Sequence, residues 1–277
     1  MSPPFLSHDT IDMYYEDHGD PNSYPLVLLH PIGGNILIWN HEIPLLLKSG
    51  LRVIAYELRG HYRTGMGKNK EYTMQDLVND FGLLLEHLKV KRRCTLVGHS
   101  IGGTIASIYA AQHPANVDAI VLINSSPKKI PDKDLEKHFR TREIAATEGM
   151  SALAEYKLQR FDESWDLFKD KRQSDHFREV FTKTSVDGFV AATLALYTIP
   201  EEGITQKLRS SGCKVLGIVG SEDYVFMRLL NETKQEMPEL KLRVIEGSDH
   251  WLVIEKPKAM YDILMEFLEG VIPRKQQ

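Results

Sequence analysis

The chain of 277 residues carries 34 basic and 38 acidic side chains, a difference of -4, and is 42% hydrophobic and 26% charged. So small a net charge leaves no footprint for nucleic acid or an anionic membrane. Ordinary apolar, glycine and proline content excludes a disordered, collagenous or coiled-coil chain, and a chain of this length buries roughly 70–75% of its unfolded surface without staples.

The amino terminus, Met1-Ser2-Pro3-Pro4-Phe5, has neither the basic start nor the apolar core of a signal peptide. No run approaches the ~18 apolar residues of a membrane span, so a soluble, cytoplasmic protein is the default expectation. The residues around Phe5 and Asp12-Met13-Tyr14-Tyr15-Glu16 suggest an antiparallel edge. Four apolar runs follow, Leu26–Leu29, Arg52–Tyr56, Cys94–Val97 and Ala119–Ile123, each stopping at small or polar residues. Runs apolar on both faces, separated by helical patterns, read as buried parallel strands. Between them, Met74, Leu77, Val78, Phe81, Leu84 and Leu88 keep helical spacing behind a Thr73/Asp76 capping box. A second helix, rich in small residues, runs from Thr104 toward His113-Pro114. From about Pro131 to Pro200 no strand is legible, only charged helices, the clearest placing Val186, Phe189, Val190, Thr193, Leu194 and Tyr197 on one face. Strands return at Val215–Val219 and Leu242–Ile245, and Pro257 opens a last helix with Met260, Ile263, Leu264, Phe267 and Leu268 on one face. Cys94 and Cys213 each open an apolar run and read as buried thiols rather than a disulfide.

Gly98-His99-Ser100-Ile101-Gly102 follows a strand and opens a helix. As a string Gly-x-Ser-x-Gly is weak; its weight comes from that context, where a sharp turn lifts the hydroxyl above the sheet edge at the positive end of a helix. A neutral hydroxyl needs a base, and the base an orienting carboxylate. Of 11 histidines, His250 follows the final strand, and the carboxyl ends of parallel strands share one rim, so it projects beside Ser100. Asp223, just beyond Val219, is the carboxylate by the same logic, with Glu222 as the neighbouring alternative; Asn124-Ser125-Ser126 offers none. His30 and His61 read as loop anchors, His99 as packed, and Asp249 as shaping the loop of the base. Acyl transfer also needs oxyanion donors. The backbone N–H of Ile101 and that of Ile32, in His30-Pro31-Ile32-Gly33-Gly34, are the candidates.

Together these residues resemble the α/β-hydrolase superfamily over essentially the whole chain. His30–Gly34 looks like the family's His-Gly-x-Gly loop, with proline for the first glycine; Glu57–Thr64 looks like its Asp-x-Arg-Gly-x-Gly-x-Ser segment, with Glu, Tyr and Thr at three positions. Ser248-Asp249-His250 lacks the usual glycine before the histidine. The resemblance implies an α/β fold with a mostly parallel eight-stranded sheet flanked by helices. It also implies a core of residues 1–128 and 201–277, with a helical cap, 129–200, inserted after the sixth strand. The pattern is similar to bacterial esterases and enol-lactonases and to cofactor-free haloperoxidase-like relatives; the serine argues against relatives with aspartate at the elbow. Of the cap aromatics, Trp165, Phe189 and Tyr197 are pocket candidates, with mutual packing of the cap helices as the alternative. Trp39 and Trp251 are candidates nearer the site. The expected activity is hydrolysis of a small carboxylic ester or lactone by a monomer or homodimer. A carbon–carbon bond hydrolase and a small-ligand receptor are the alternatives. No metal-ligand spacing or dinucleotide fingerprint is present, so no metal and no cofactor are expected.

Overall fold

A computed structural model describes residues 4–8, 11–90, 93–160, 170–200 and 203–272. Eight strands form one sheet: β1 (Phe5–His8), β2 (Ile11–His18), β3 (Pro25–Leu29), β4 (Arg52–Tyr56), β5 (Cys94–His99), β6 (Val117–Ile123), β7 (Lys214–Gly220) and β8 (Lys241–Ile245). Their order is β1-β2-β4-β3-β5-β6-β7-β8. The β1–β2 and β2–β4 pairs are antiparallel and all others parallel.

Eleven helices accompany the strands among the described residues: α1 (Glu42–Lys48), α2 (Met74–His87), α3 (Ile101–Gln112), α4 (Asp132–Leu135), α5 (Lys137–Arg160), α6 (Lys171–Phe181), α7 (Val186–Ala195), α8 (Ile204–Ser210), α9 (Tyr224–Glu236), α10 (Leu252–Glu255) and α11 (Pro257–Glu269). Helices α4 to α7 lie between β6 and β7 in the chain, and α5 breaks at Gly149. The capping box closes as its spacing suggests: Asp76 accepts from the Thr73 N–H at 2.7 Å, and Thr73 Oγ1 accepts from the Asp76 N–H at 3.2 Å.

Two apolar layers sandwich the sheet. Val27, Leu29, Ile54 and Tyr56 enter one core with α2, α3, α8 and α9, while their chain neighbours Leu26, Leu28, Val53 and Ala55 enter the other with α1, α6 and α11. Successive side chains of a strand point to opposite faces, so a strand apolar at every position is one with a core on each side. Burial of each Leu or Val contributes about 1.5–3 kcal/mol. Strand β8 departs from this pattern. It is an edge strand with Lys241, Arg243 and the 42%-exposed Val244 in solvent, and charges there discourage pairing with another chain. Both thiols are free and buried, which pushes each up to about 12.

Helix α7 differs from its sequence reading. Phe189 and Thr193 are buried, but so are Ala191, Ala192 and Ala195, while Leu194 is 40% exposed. The cause is a close approach of backbones: a Cβ on Gly188 would lie 2.1 Å from the Gly60 carbonyl oxygen. A helix held this near its neighbour buries its small residues and turns a leucine outward.

Candidate active site

The turn after β5 packs too tightly for side chains on either flank of Ser100. A Cβ on Gly98 would stand 2.3 Å from the Gly103 nitrogen, and one on Gly102 would stand 2.4 Å from the Leu29 carbonyl oxygen. Ser100 itself has φ 54° and ψ -122°, a conformation costing about 1–3 kcal/mol for a residue with a side chain. Its N–H donates to the Ile123 carbonyl (2.9 Å), and its carbonyl accepts from Gly103 N–H (2.9 Å) and Ser125 Oγ (2.6 Å). The strained turn is thus tied to β6 and to the first turn of α3.

Three sequence candidates meet above the sheet. Ser100 Oγ lies 3.0 Å from His250 Nε2, and His250 Nδ1 lies 2.7 Å from Asp223 Oδ2. With Nδ1–H donating to the carboxylate, Nε2 is left to accept from the serine hydroxyl. Asp223 is 6% exposed. Burial pushes its carboxyl up, but the charge and hydrogen bond of His250, the Asn124 amide and the Phe226 N–H together outweigh this and hold it below its ordinary value. Glu222 turns away: its oxygens accept from Ser221 Oγ (2.9 Å) and the Tyr224 hydroxyl (2.7 Å).

The other histidines sort as their positions suggest. His30 accepts from the Leu58 N–H (2.9 Å) and donates to the Pro31 carbonyl (2.8 Å). His61 accepts from the Gly33 N–H (3.3 Å) and donates to the Arg59 carbonyl (3.0 Å). Both are fully buried anchors, and burial lowers His61 to about 4. His99 donates from Nε2 to the carbonyl of His250 at 2.6 Å, and burial pushes it down to about 3.

A cavity of about 280 Å³ opens beside Ser100 and His250, walled by Ile32, Phe226 and Trp251 from the sheet side and by Ile130, Tyr156, Phe189 and Leu196 from the inserted segment. Asp134, His138, Thr141 and Lys157 add polar groups. Phe189 and Trp251 line it, and Ile32 stands at its wall. Trp39 does not. It ends a buried 3-10 turn, Ile36–Trp39, is 1% exposed and belongs to the core around α6 and α11. Nor does Tyr197: its hydroxyl reaches the Leu135 carbonyl (3.4 Å), joining two parts of the insertion, while the adjacent Leu196 faces the cavity. Trp165 lies outside the described residues. A larger groove of about 590 Å³ between α2 and α3 holds none of the three meeting groups.

Two neighbours escaped the sequence reading. Asn124, at the end of β6, donates from Nδ2 to Asp223 Oδ2 (2.7 Å) and to the Asp249 carbonyl (3.1 Å). The ring of Phe226 stacks on His250, centroids 5.4 Å apart. Asn124 adopts φ 43°, and an asparagine in the left-handed region at a strand end was the available signal. Among the described residues, no group of three or more His, Cys, Asp or Glu is placed to hold a metal ion, and no helix is long and apolar enough to cross a membrane.

Comparison with known proteins adds four likenesses. Residues 24–257 match the family model described as alpha/beta hydrolase fold. A chain of Nitrososphaera gargenis, from work on the crystal structure and activity profiles of that thaumarchaeon's carboxylesterases, is 69% identical, with a TM-score of 0.93, covering 97% of this chain and 98% of the other. The enol-lactonase of Burkholderia xenovorans, at 23% identity and a TM-score of 0.81 over 96% and 100% of the two chains, is alike in fold. A local match, 34% identical, joins 42% of this chain to 43% of a Variovorax paradoxus protein provisionally named the carbamate hydrolase RutD.

Proposed function

The chain belongs to the α/β-hydrolase family, and on that premise we propose that this hydrolase cleaves a small carboxylic ester or lactone through an acyl-enzyme on Ser100. The observation that carries the reading is the unbroken path from Ser100 Oγ through His250 to the buried Asp223, 3.0 and 2.7 Å, at the floor of a cavity. Ser100 attacks the carbonyl while His250 Nε2 takes its proton. Asp223 holds the tautomer and stabilises the imidazolium; His250 then protonates the leaving alcohol, and water, activated by the same imidazole, releases the acid.

The oxyanion falls to two backbone donors. Ile101 is the first residue of α3, where an N–H has no partner within its helix. In the loop after β3, Pro31 has no N–H, Gly33 donates to His61 and Gly34 to the Pro31 carbonyl (2.9 Å). Ile32 is the donor that stands beside the cavity. Each such donor is worth about 3–4 kcal/mol in the transition state. We read residues 129–200 as a cap, because Ile130, Tyr156, Phe189 and Leu196 form one wall of the cavity. At about 30 Å³ per water-sized volume, the cavity suits a ligand of on the order of ten non-hydrogen atoms. The 69% identical chain, drawn from a study of carboxylesterases, supports the ester class.

The test is hydrolysis of nitrophenyl esters from two to twelve acyl carbons. Multiple turnover peaking at a short chain is expected, falling at least about 10⁴-fold in Ser100→Ala and in His250→Ala while both remain folded. A tenth of the activity surviving in either variant would refute the assignment.

A further inference from the structure

His250 sits in the loop between β8 and α10, and its imidazole is aimed by the peptide groups on either side of it. Those groups are gripped by side chains. Glu255, the last residue of α10, accepts the N–H of Asp249 on Oε2 (2.7 Å) and the N–H of Trp251 on Oε1 (3.1 Å). Its own N–H donates back to the Trp251 carbonyl (3.0 Å). The opposite polarity is met by His99 on the carbonyl of His250 and by Asn124 on that of Asp249.

From this geometry we infer that Glu255 is a positioning residue for the general base: its two carboxylate oxygens clamp the peptide N–H groups flanking His250 and hold the imidazole between Ser100 and Asp223. The inference rests on the proposed roles of those three residues. An ionised carboxylate is the side chain that offers two acceptors in a fork and no donor. Glutamine would present an NH₂ to one of the two N–H groups, and aspartate falls a methylene short.

The surroundings fit this use. Glu255 is 8% exposed, and burial pushes its carboxyl up to about 7; Asp249 acts in the same direction, while the two N–H groups and Lys256 favour the charge. Gln173 of α6 donates to the carbonyls of Ile254 and Glu255 (3.0 and 3.1 Å), anchoring the end of α10 to the inserted segment. A charge in so dry a place is costly, and its bonds go to the backbone on both sides of the base. A carboxyl serving stability alone would lower the melting temperature on removal without touching the imidazole.

The experiment compares the wild type with Glu255→Gln, and with Glu42→Gln as a second buried carboxyl, one whose oxygen meets His41 (3.2 Å) rather than the loop of the base. The readouts are kcat and KM on a short nitrophenyl ester, and the low-field proton NMR signal of the His250 Nδ1–H bond to Asp223, assigned by its absence in His250→Gln. Displacement of a catalytic group by about 1 Å costs on the order of 100-fold. Glu255→Gln is therefore expected to lower kcat about 10- to 100-fold with KM within about threefold, and to broaden or abolish the low-field signal. Glu42→Gln should change neither. A Glu255→Gln protein that melts earlier but keeps kcat and the signal would overturn the inference. If ester turnover proves independent of Ser100, the parent reading fails, and the proton signal alone then decides the clamp. Should Glu255→Gln not fold, Glu255→Asp is judged by the same readouts.

Discussion

Asn124 offers the sharpest probe of the charge arrangement around Asp223. Its Nδ2 donates to Asp223 Oδ2 at 2.7 Å, the same oxygen that accepts the His250 Nδ1–H. Asn124→Gly removes the amide and accepts the native φ of 43° without strain. Loss of one hydrogen bond to a charged group costs about 1.5–3 kcal/mol, which corresponds to roughly 10- to 150-fold in kcat if the bond counts fully in the transition state. Asn124→Asp keeps the shape but sets a second carboxylate against the first. At about 4 Å between charges and an effective dielectric near 20, the repulsion is about 4 kcal/mol, or about 3 pKa units. The pair then holds one proton well above the ordinary carboxylate range, and His250 faces a half-neutralised partner. Turnover by Asn124→Asp should lie about tenfold below wild type at pH 6, because the shared proton spends part of its time on Asp223, and should recover as pH rises and that proton leaves. Asn124→Gly should show no such recovery. Steady-state ester hydrolysis between pH 6 and 9, with circular dichroism as the folding control, reads both. Asn124→Asp within threefold of wild type at pH 6, or parallel profiles for the two variants, would refute the reasoning.

Two stability predictions follow from close contacts and burial. In Gly188→Ala the new methyl meets the Gly60 carbonyl oxygen at 2.1 Å and its carbon at 2.5 Å. Backbone cannot swing aside, so α7 must lift, at a cost of about 2–3 kcal/mol. Calorimetry should show a melting temperature lower by about 3–5 °C, with KM raised because Phe189 moves with the helix; a loss under about 1 °C would contradict the contact. Burial pushes Glu42 from 4.5 up to about 8. Between those values the folded state keeps a proton that the unfolded chain has lost, so this group's contribution to stability declines as pH rises from 4.5 to 8. Glu42→Gln, which stays neutral, should gain about 2–4 kcal/mol on wild type between pH 5 and pH 8.5 in urea unfolding; a pH-independent difference would show that the carboxyl is ionised in the fold.

Much of this architecture is legible in the sequence because the groups concerned are constrained locally. Strands with a core on each face carry apolar residues at every position, as in Leu26–Leu29, and Ser100 stands between two glycines that the turn cannot do without. Asp223 and His250 are found by topology, since parallel strands deliver their carboxyl ends to one rim. What sequence reading missed depends on which side chain meets which. Trp39 and Phe189 are both large and apolar, and only the packing of the 3-10 turn under α6 and α11 makes one core and the other cavity wall. The loop after β6 holds no carboxylate, yet its contribution is the opposite polarity: an amide aimed at a carboxylate beyond the neighbouring strand. Five residues after His250, Glu255 looks like an ordinary acidic residue before Pro257. Its importance lies in bonds to main-chain groups, which carry no residue identity and leave no trace in a search for side-chain partners. A site read from sequence alone therefore yields its reactive atoms more readily than the groups that aim them. Here the aiming of His250 falls to Asn124, His99 and Glu255, contributed by three different segments of the sheet's rim.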